Sequence, residues 1–435
     1  MPAVVKRFRR LPVFHAANSL NKNPNYAPET GCRDRSRLES DIIDRTGYKS
    51  KIRHFVMIHS GLAGLSAGEF LRRYWQKKPW LARGALPECA AILQRGDLFE
   101  LAGREDLDSR LVLRSGSRWQ LRHGPFARRD FAKLPRTGWT LLVQGVDHAL
   151  PAARELLERF SFIPYARLDD VMVSYAPPGG GVGPHFDSYD VFLLQGEGRR
   201  RWRIGRQRDL GLVPGAPLRI LRRFRPSREW VVQPGDLLYL PPRCAHDGIA
   251  ESDCITYSIG FRAPGAQELG ARFLEYLQEQ LRLDGIYSDP GLKPQRRPAR
   301  LGDDMVGKVR NVLRRIHWSD ADAMRFLGCY LTEPKASVLF ARPSRPLAKS
   351  AFLARTARGG ARLALPSRML FRGNTLFING EAHAPGTAAA RKLSRLADRR
   401  SLPPLARLDR ESAQLLYQWY RVGYICLGTE RGNAE

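Results

Sequence analysis

The chain has 435 residues, of which 43% are hydrophobic and 26% charged, the balance of a globular protein and enough for two to three domains with separate cores. Its formal net charge of +29 at pH 7 favours acidic partners such as nucleic acid or a ribonucleoprotein, although an average over the chain locates no binding face. Six cysteines without paired spacing exclude a zinc knuckle or disulfide framework, and no apolar run is long enough for a bilayer span or a signal peptide, so a soluble cytoplasmic protein is expected.

Residues 1–56 mix basic clusters (Lys6, Arg7, Arg9, Arg10) with Asn, Pro and Ser and hold no periodicity. They read as a disordered leader, or as sequence ahead of a start near Met57, more readily than as a basic arm for RNA. From Ser66 the chain becomes regular. Ser66-Ala-Gly-Glu69 has capping-box spacing and opens a helix through Phe70, Leu71 and Tyr74 that ends near Pro79. Strands are predicted at 110–114 and 119–122, a helix over 151–160, and a strand over 171–176. That strand stops at Pro177-Pro178 and three glycines, where the backbone needs unusual freedom. The runs 191–196 and 199–204 flank Glu197-Gly198 as a hairpin. Two further turns lead into strands at 237–240 and 254–261. Short antiparallel strands at this spacing predict a β-barrel or double-sheet jelly roll of the cupin kind within 57–264.

After Pro264 the period becomes helical. The run 267–283 places Leu269, Phe273, Tyr276, Leu277 and Leu281 near one face, and 303–316 and 319–331 complete a helical region, 265–336. Its stripe fits internal packing and a dimer seam equally well. The last section, 337–435, opens as a basic, proline-containing linker. It continues as strands around Gly373-Asn374 and Asn379-Gly380, then as helices over 387–398 and 410–422. These are the parts of a winged helix, which makes the whole an α+β protein. Arg391, Lys392, Arg395, Arg399 and Arg400 could meet phosphates. With few polar or aromatic residues at a recognition face, protein docking or a structural role is favoured over nucleic-acid binding.

The chemistry-bearing stretch is 171–261. Residues two apart on a strand point to one face, so His185 and Asp187 can reach a common point. A distant His246, brought alongside by sheet closure, would complete two imidazoles and a carboxylate. Such a set binds Fe(II) on one face and leaves positions open for a co-substrate and O2. The triplet alone is weak, since among nine His and 43 acidic residues a His-x-Asp/Glu arises by chance about once. The glycine run before it and the Pro-Gly-Asp-x-x-Tyr-x-Pro-Pro lead into His246 are much rarer. The competing reading is a pair of buried, hydrogen-bonded histidines in an all-β core.

Several longer runs carry a resemblance: Phe70-Leu-Arg-Arg-Tyr-Trp-Gln-Lys-Lys-Pro79, Trp119-Gln-Leu-Arg-His-Gly-Pro-Phe126, Asp169-Asp-Val-Met-Val-Ser174, Pro178-Gly-Gly-Gly-Val-Gly-Pro-His185-Phe-Asp187 and Tyr257-Ser-Ile-Gly-Phe-Arg-Ala-Pro264. In these the chain resembles the JmjC-type ribosomal oxygenases, in particular the bacterial arginine hydroxylases of large-subunit ribosomal protein sixteen. The resemblance implies a JmjC/cupin double-stranded β-helix, a helical dimerisation region giving a homodimer, and a C-terminal winged helix. Residues 1–56 have no counterpart in it. It further implies that His185, Asp187 and His246 hold Fe(II), and that Arg200, fifteen positions after the first ligand, anchors the distal carboxylate of 2-oxoglutarate. Ser174 is expected to add a hydrogen bond to that co-substrate. A planar guanidinium suits a buried carboxylate, and alternation puts Arg200 on the face of Trp202 and leaves Arg199, Arg201 and Arg203 for solvent. The implied reaction hydroxylates an arginine β-carbon in a ribosomal protein. A same-fold oxygenase with another substrate, or a non-catalytic ribosome- or nucleic-acid-binding cupin, are the alternatives; the intact His185, Asp187, His246 and Arg200 argue against the second.

A basic substrate sits awkwardly with so basic a chain, so local charge at the site must differ from the global balance. Asp169, Asp170 and Asp190 are the candidates for meeting a substrate guanidinium, with turn capping or strand-edge ion pairs as equally weighted roles.

Overall fold

In the computed structural model the described residues are 64–116, 118–404 and 407–428, and they fall into two compact units. The expected leader, 1–56, lies outside the described residues. Among the described residues no helix is long and apolar enough to cross a membrane.

The first unit, residues up to 163 with 168–260 and 337–339, is built on eleven strands. In order they are β1 (Trp80–Ala82), β2 (Ser109–Ser115), β3 (Arg118–His123), β4 (Trp139–Val143), β5 (Leu168–Ala176), β6 (Val191–Glu197), β7 (Arg200–Gly205), β8 (Pro226–Val232), β9 (Leu237–Leu240), β10 (Ala245–Ala250) and β11 (Cys254–Phe261). Helices α1 (Ala67–Arg73), α2 (Arg95–Leu101), α3 (Arg128–Ala132) and α4 (Pro151–Glu158) accompany them. An eight-stranded sheet, in the order β1-β9-β6-β11-β5-β4-β2-β3, faces a three-stranded sheet, β10-β7-β8. This is the expected jelly-roll barrel.

The two faces of β6 and β9 show how it closes. Phe192 pairs with Tyr239 across the ladder, and Phe70 of α1 lies 5.2 Å and 5.0 Å from their rings, covering the outside of the sheet. The alternate residues Val191, Leu193, Leu238 and Leu240 point inward onto Trp202, Ile204 and Val232 of the small sheet. Central strands are thus buried on both faces, and β9 reads as unbroken apolar sequence.

Four strands of this unit escape sequence reading, β1 because it is only three residues long. In β4 all five residues are buried, so no alternation marks it. Strand β8 starts with four exposed residues, and β10 carries an Asp and a Gly, both poor strand formers.

The second unit comprises 164–167, 261–336 and the residues from 340 on. Its helices are α5 (Ala266–Gln280), α6 (Asp303–Leu313), α7 (Asp320–Thr332), α8 (Lys349–Gly359), α9 (Thr387–Arg399) and α10 (Arg410–Arg421). Its strands are β12 (Ala361–Leu363), β13 (Met369–Arg372), β14 (Thr375–Ile378), β15 (Glu381–His383), β16 (Ser401–Leu402) and β17 (Ile425–Leu427). Strands β16-β12-β17 and β13-β14-β15 form two small sheets. Phe352, Leu376, Ile378, Leu393, Leu396, Leu416 and Trp419 make one core between them and α8–α10. Phe273 on α5 packs on Phe326 of α7 at 5.2 Å. At Gly328 of α7 a Cβ would meet the Phe377 ring of β14 at 2.4 Å, so only glycine lets that helix lie on the strand. Helix α8 falls where the sequence reads as linker, because only Phe352 and Thr356 of its eleven residues are buried and its apolar stripe is thin.

Candidate metal centre and co-substrate pocket

The glycine loop after β5 brings the first ligand into place. Gly179 N–H donates to Ala250 O (2.8 Å) and Ala250 N–H to Gly180 O (2.9 Å), so the loop runs alongside β10. A Cβ on Gly181 would stand 2.5 Å from Gly248 O. Gly183 has φ +79 and sits under the Trp119 ring, where a Cβ would be 2.7 Å from the indole. Both positions exclude any side chain. His185 then pairs antiparallel with His246, each N–H donating to the other's carbonyl at 2.9 and 2.8 Å.

That pairing sets the imidazoles side by side, with ring centroids 4.2 Å apart. Asp187 lies two residues on, its Oδ2 3.8 Å from His246 Nε2, and Arg243 N–H holds its carbonyl at 2.7 Å. The donor atoms of His185, Asp187 and His246 all fall within 4.8 Å of one another. Each imidazole has its Nδ1 against a backbone carbonyl, Gly183 O at 2.8 Å for His185 and Cys244 O at 2.9 Å for His246. A proton on Nδ1 leaves Nε2 as the metal-binding lone pair, the tautomer such ligands need. Burial, reinforced by His185, lowers the His246 pKa to about 4 against the opposing pull of Asp187 and the Cys244 carbonyl, so the ring stays neutral at physiological pH. Two imidazoles with Nδ1 held by backbone carbonyls and one carboxylate on one side fit a divalent iron with open positions.

On the neighbouring strand β7, Arg200 lies opposite Ala250 and Val232 and is 5% exposed. Its guanidinium stands 5.6 Å over the Trp202 ring, itself 5.8 Å from His246. Arg200 Nε and Nη2 are buried with no hydrogen-bond partner. A buried cation with two unmet donors is costly unless something anionic completes it. The neighbouring arginines are paired or exposed: Arg201 pairs with Glu251 (2.5 Å) and Glu229 (3.1 Å), half-buried Arg203 with Asp247, and Arg199, just before the strand, is 64% exposed. Ser174 is buried on β5, opposite Leu142. Trp202 Nε1 and Thr140 Oγ1 are also buried donors without a partner. Sequence reasoning passed over both, for a Trp and a Thr in strands look like packing residues.

The three acidic candidates separate. Asp190 is fully buried and accepts from Tyr239 Oη (2.6 Å) and Gln76 Nε2 (2.9 Å). That placement corrects the expected substrate contact, since Asp190 braces the outer aromatic layer instead. Asp170 is 1% exposed and takes both hydrogen bonds of Gln144 Nε2 at 2.8 and 2.9 Å, while Asp169 is half-buried. Tyr189, which the sequence reading overlooked, is 41% exposed. Its hydroxyl feels Asp187, and then burial, Asp170 and Asp169, and these together raise its pKa against the pull of Arg110. A phenol and acidic groups therefore gather beside the ligand cluster. The only signal was its place between Asp187 and Asp190.

Residues 155–269 match the JmjC domain family, and 315–425 the ROXA-like winged helix family. The chain is 34% identical over 315 residues to the ribosomal protein uL16 3-hydroxylase of Escherichia coli, an overlap of 72% of this chain and 84% of that protein. A probable ribosomal oxygenase of Haemophilus influenzae is 45% identical over 205 residues, 46% of this chain and 50% of that one. Among solved structures, E. coli ycfD superposes with a TM-score of 0.72 at 31% identity, over 83% of this chain and 98% of the other. A structure of E. coli YcfD in complex with cobalt and 2-oxoglutarate gives 0.69 at 31% identity, over 82% and 97%.

Proposed function

The chain belongs to the JmjC-type ribosomal oxygenases, and from that premise we propose that it is an Fe(II)- and 2-oxoglutarate-dependent hydroxylase of the β-carbon of an arginine in ribosomal protein uL16, acting in the cytoplasm. The observation that carries the cofactor part is Arg200: a buried guanidinium with two unmet donors, on the strand beside a cluster of two histidines and an aspartate. In the solved relative, metal and 2-oxoglutarate occur together.

When bound, Fe(II) with 2-oxoglutarate and O2 couples oxidative decarboxylation of the co-substrate to hydroxylation of a C–H bond. The chain's own residues do the positioning. His185, Asp187 and His246 hold the metal, and the carbonyls of Gly183 and Cys244 fix the two imidazole tautomers. Arg200 clamps the distal carboxylate, and Ser174, Thr140 and Trp202 Nε1 are the further donors of the pocket. No proton-transfer base is required of the protein.

For the substrate side, half-buried Asp169 and exposed Tyr189 are the best-placed groups to meet an arginine guanidinium, while Asp170, buried and held by Gln144, acts only through its charge. Asp169 and Asp170 supply local negative charge in a +29 chain, and Tyr189, whose pKa Asp187, burial and these two acids raise, stays a neutral hydroxyl. The domain limits that go with this reading are 57–264 for the catalytic barrel, 265–336 for the helical region and 337–435 for the winged helix, with 1–56 dispensable. We assign the helical region to homodimerisation: α6 has no buried residue, and Met305, Val309, Val312 and Leu313 all stand at least 40% exposed along it, an apolar face that a second copy would cover.

The test is mass spectrometry of a uL16 peptide incubated with the purified protein, Fe(II) and 2-oxoglutarate. The expected product is heavier by one oxygen atom at an arginine, with succinate formed in step. Succinate without peptide oxidation would assign a different substrate, and neither product would remove the hydroxylase reading.

A further inference from the structure

We propose that the stripe Arg391–Arg395–Arg399 on α9, continued by Arg362 on β12, is a docking surface for the phosphate backbone of RNA. The sequence alone weighed protein docking above nucleic acid for this module; burial and pairing shift that weight. Between Phe340 and Gly428 there are 16 Lys and Arg and four acids, Glu381, Asp398, Asp409 and Glu411. Three of the acids are engaged within the fold. Asp409 caps α10 and takes Lys392 Nζ at 3.0 Å, Glu411 accepts from Gly386 N–H at 2.8 Å, and Glu381 accepts from the Tyr424 hydroxyl at 3.1 Å. Only Asp398 remains on the exposed side of α9.

The five basic residues at this helix divide accordingly. Lys392 is committed to Asp409. Arg400, at φ 54, donates to the carbonyls of Ser367, Ala364 and Leu365 at 2.9, 3.0 and 3.2 Å and so ties the helix end to the preceding loop. Arg391, Arg395 and Arg399 are left, all exposed, none in a side-chain hydrogen bond or ion pair among the described residues. At four-residue steps they lie in one row, about 6 Å apart along the axis, opposite the buried Ala389, Ala390, Leu393, Leu396 and Ala397. The chain leaves the helix through Arg400 into Ser401, which sits opposite the exposed Arg362.

Four guanidinium groups, planar and always charged, suit phosphate oxygens. The stripe presents no aromatic ring to stack on bases, so it would follow the backbone without reading sequence. A bilayer is a poor match: Phe371 is the sole large hydrophobic residue exposed between Phe340 and Gly428 among those described. The choice of RNA over another polyanion rests on the ribosomal reading above.

The test uses the full chain and a fluorescein-labelled single-stranded RNA, followed by anisotropy over roughly 50–200 mM salt. Arg391→Gln/Arg395→Gln/Arg399→Gln should flatten the slope of log K against log salt by about 2, at ~0.7 per lost phosphate contact. The triple Lys variant should keep most of the slope, which separates charge from fold. Arg118→Gln/Arg136→Gln/Arg223→Gln removes equal charge from exposed positions of the catalytic unit and should change the slope little. Equal losses in both Gln triples, no RNA binding by the native chain, or polyglutamate competing as well as RNA would each overturn the proposal. Peptide hydroxylation, measured in parallel, should match the native rate in all three. Its failure in the native protein would count against the catalytic reading, whereas an unchanged RNA slope in the first triple counts against this one.

Discussion

Arg200 is a single buried side chain, and its exposed neighbour Arg199 supplies the control. On the proposed role, Arg200→Ala removes a charge-assisted contact to the co-substrate from a buried position. Truncating one partner of such a pair costs about 2–5 kcal/mol, tens- to thousands-fold in affinity. The Michaelis constant for 2-oxoglutarate should rise by that order while metal binding persists. Arg200→Lys should recover part of it, because charge returns without the planar fork. Arg199→Ala, on the exposed side of the same hairpin, should move the constant little; equal shifts at both positions would place the anchor elsewhere. What the sequence discloses at this scale is spacing: Arg200 and Trp202 share a strand face as alternation predicts, whereas His185 and Asp187 converge from a loop pinned by the single His185–His246 bridge and not from a strand. What it hides is which polar groups are spent internally. Asp190 looks like an acid of the site and is consumed by Tyr239 and Gln76, whereas Tyr189 and Trp202 look like packing and stand near the chemistry.

Elements were legible where caps and periodicity agree. Helix α7 starts after Ser319, whose Oγ and N–H exchange hydrogen bonds with Asp322 at 3.3 and 2.8 Å, as a capping box requires. Strands β4, β8 and β10 were not legible, because burial on both faces or an exposed edge removes alternation. Helix α10 offers a test of capping. Burial alone would raise the pKa of Asp409, but hydrogen bonds from Ser412 and Lys392 outweigh it and hold the carboxyl at about 2. Asp409→Ala should therefore destabilise the winged helix by roughly 0.5–2 kcal/mol in urea melts near neutral pH. Because the folded carboxyl titrates below its unfolded value, the stabilisation is present above about pH 4 and fades as pH falls toward 2. A variant as stable as the native chain at neutral pH, or a difference that grows on acidification, would contradict the cap.

On the scale of the whole molecule, the jelly roll was legible from strand spacing, and the JmjC identity and winged helix from quoted motifs and layout. The function of α6 was not, since an apolar stripe looks alike whether it meets its own core or a second copy. Its exposure in the single chain is what the homodimer proposal rests on. Val309→Asp, on the exposed face of α6, should convert a dimer to monomer in sedimentation, with the fold intact by circular dichroism. A native chain that already sediments as a monomer would refute the seam. The central claim, hydroxylation of a ribosomal arginine, is tested most directly by the intact masses of ribosomal proteins from cells with and without this enzyme. The account predicts uL16 lighter by one oxygen atom in the cells that lack it, and restored by the native chain but not by Asp187→Ala. An unchanged uL16 mass would contradict it.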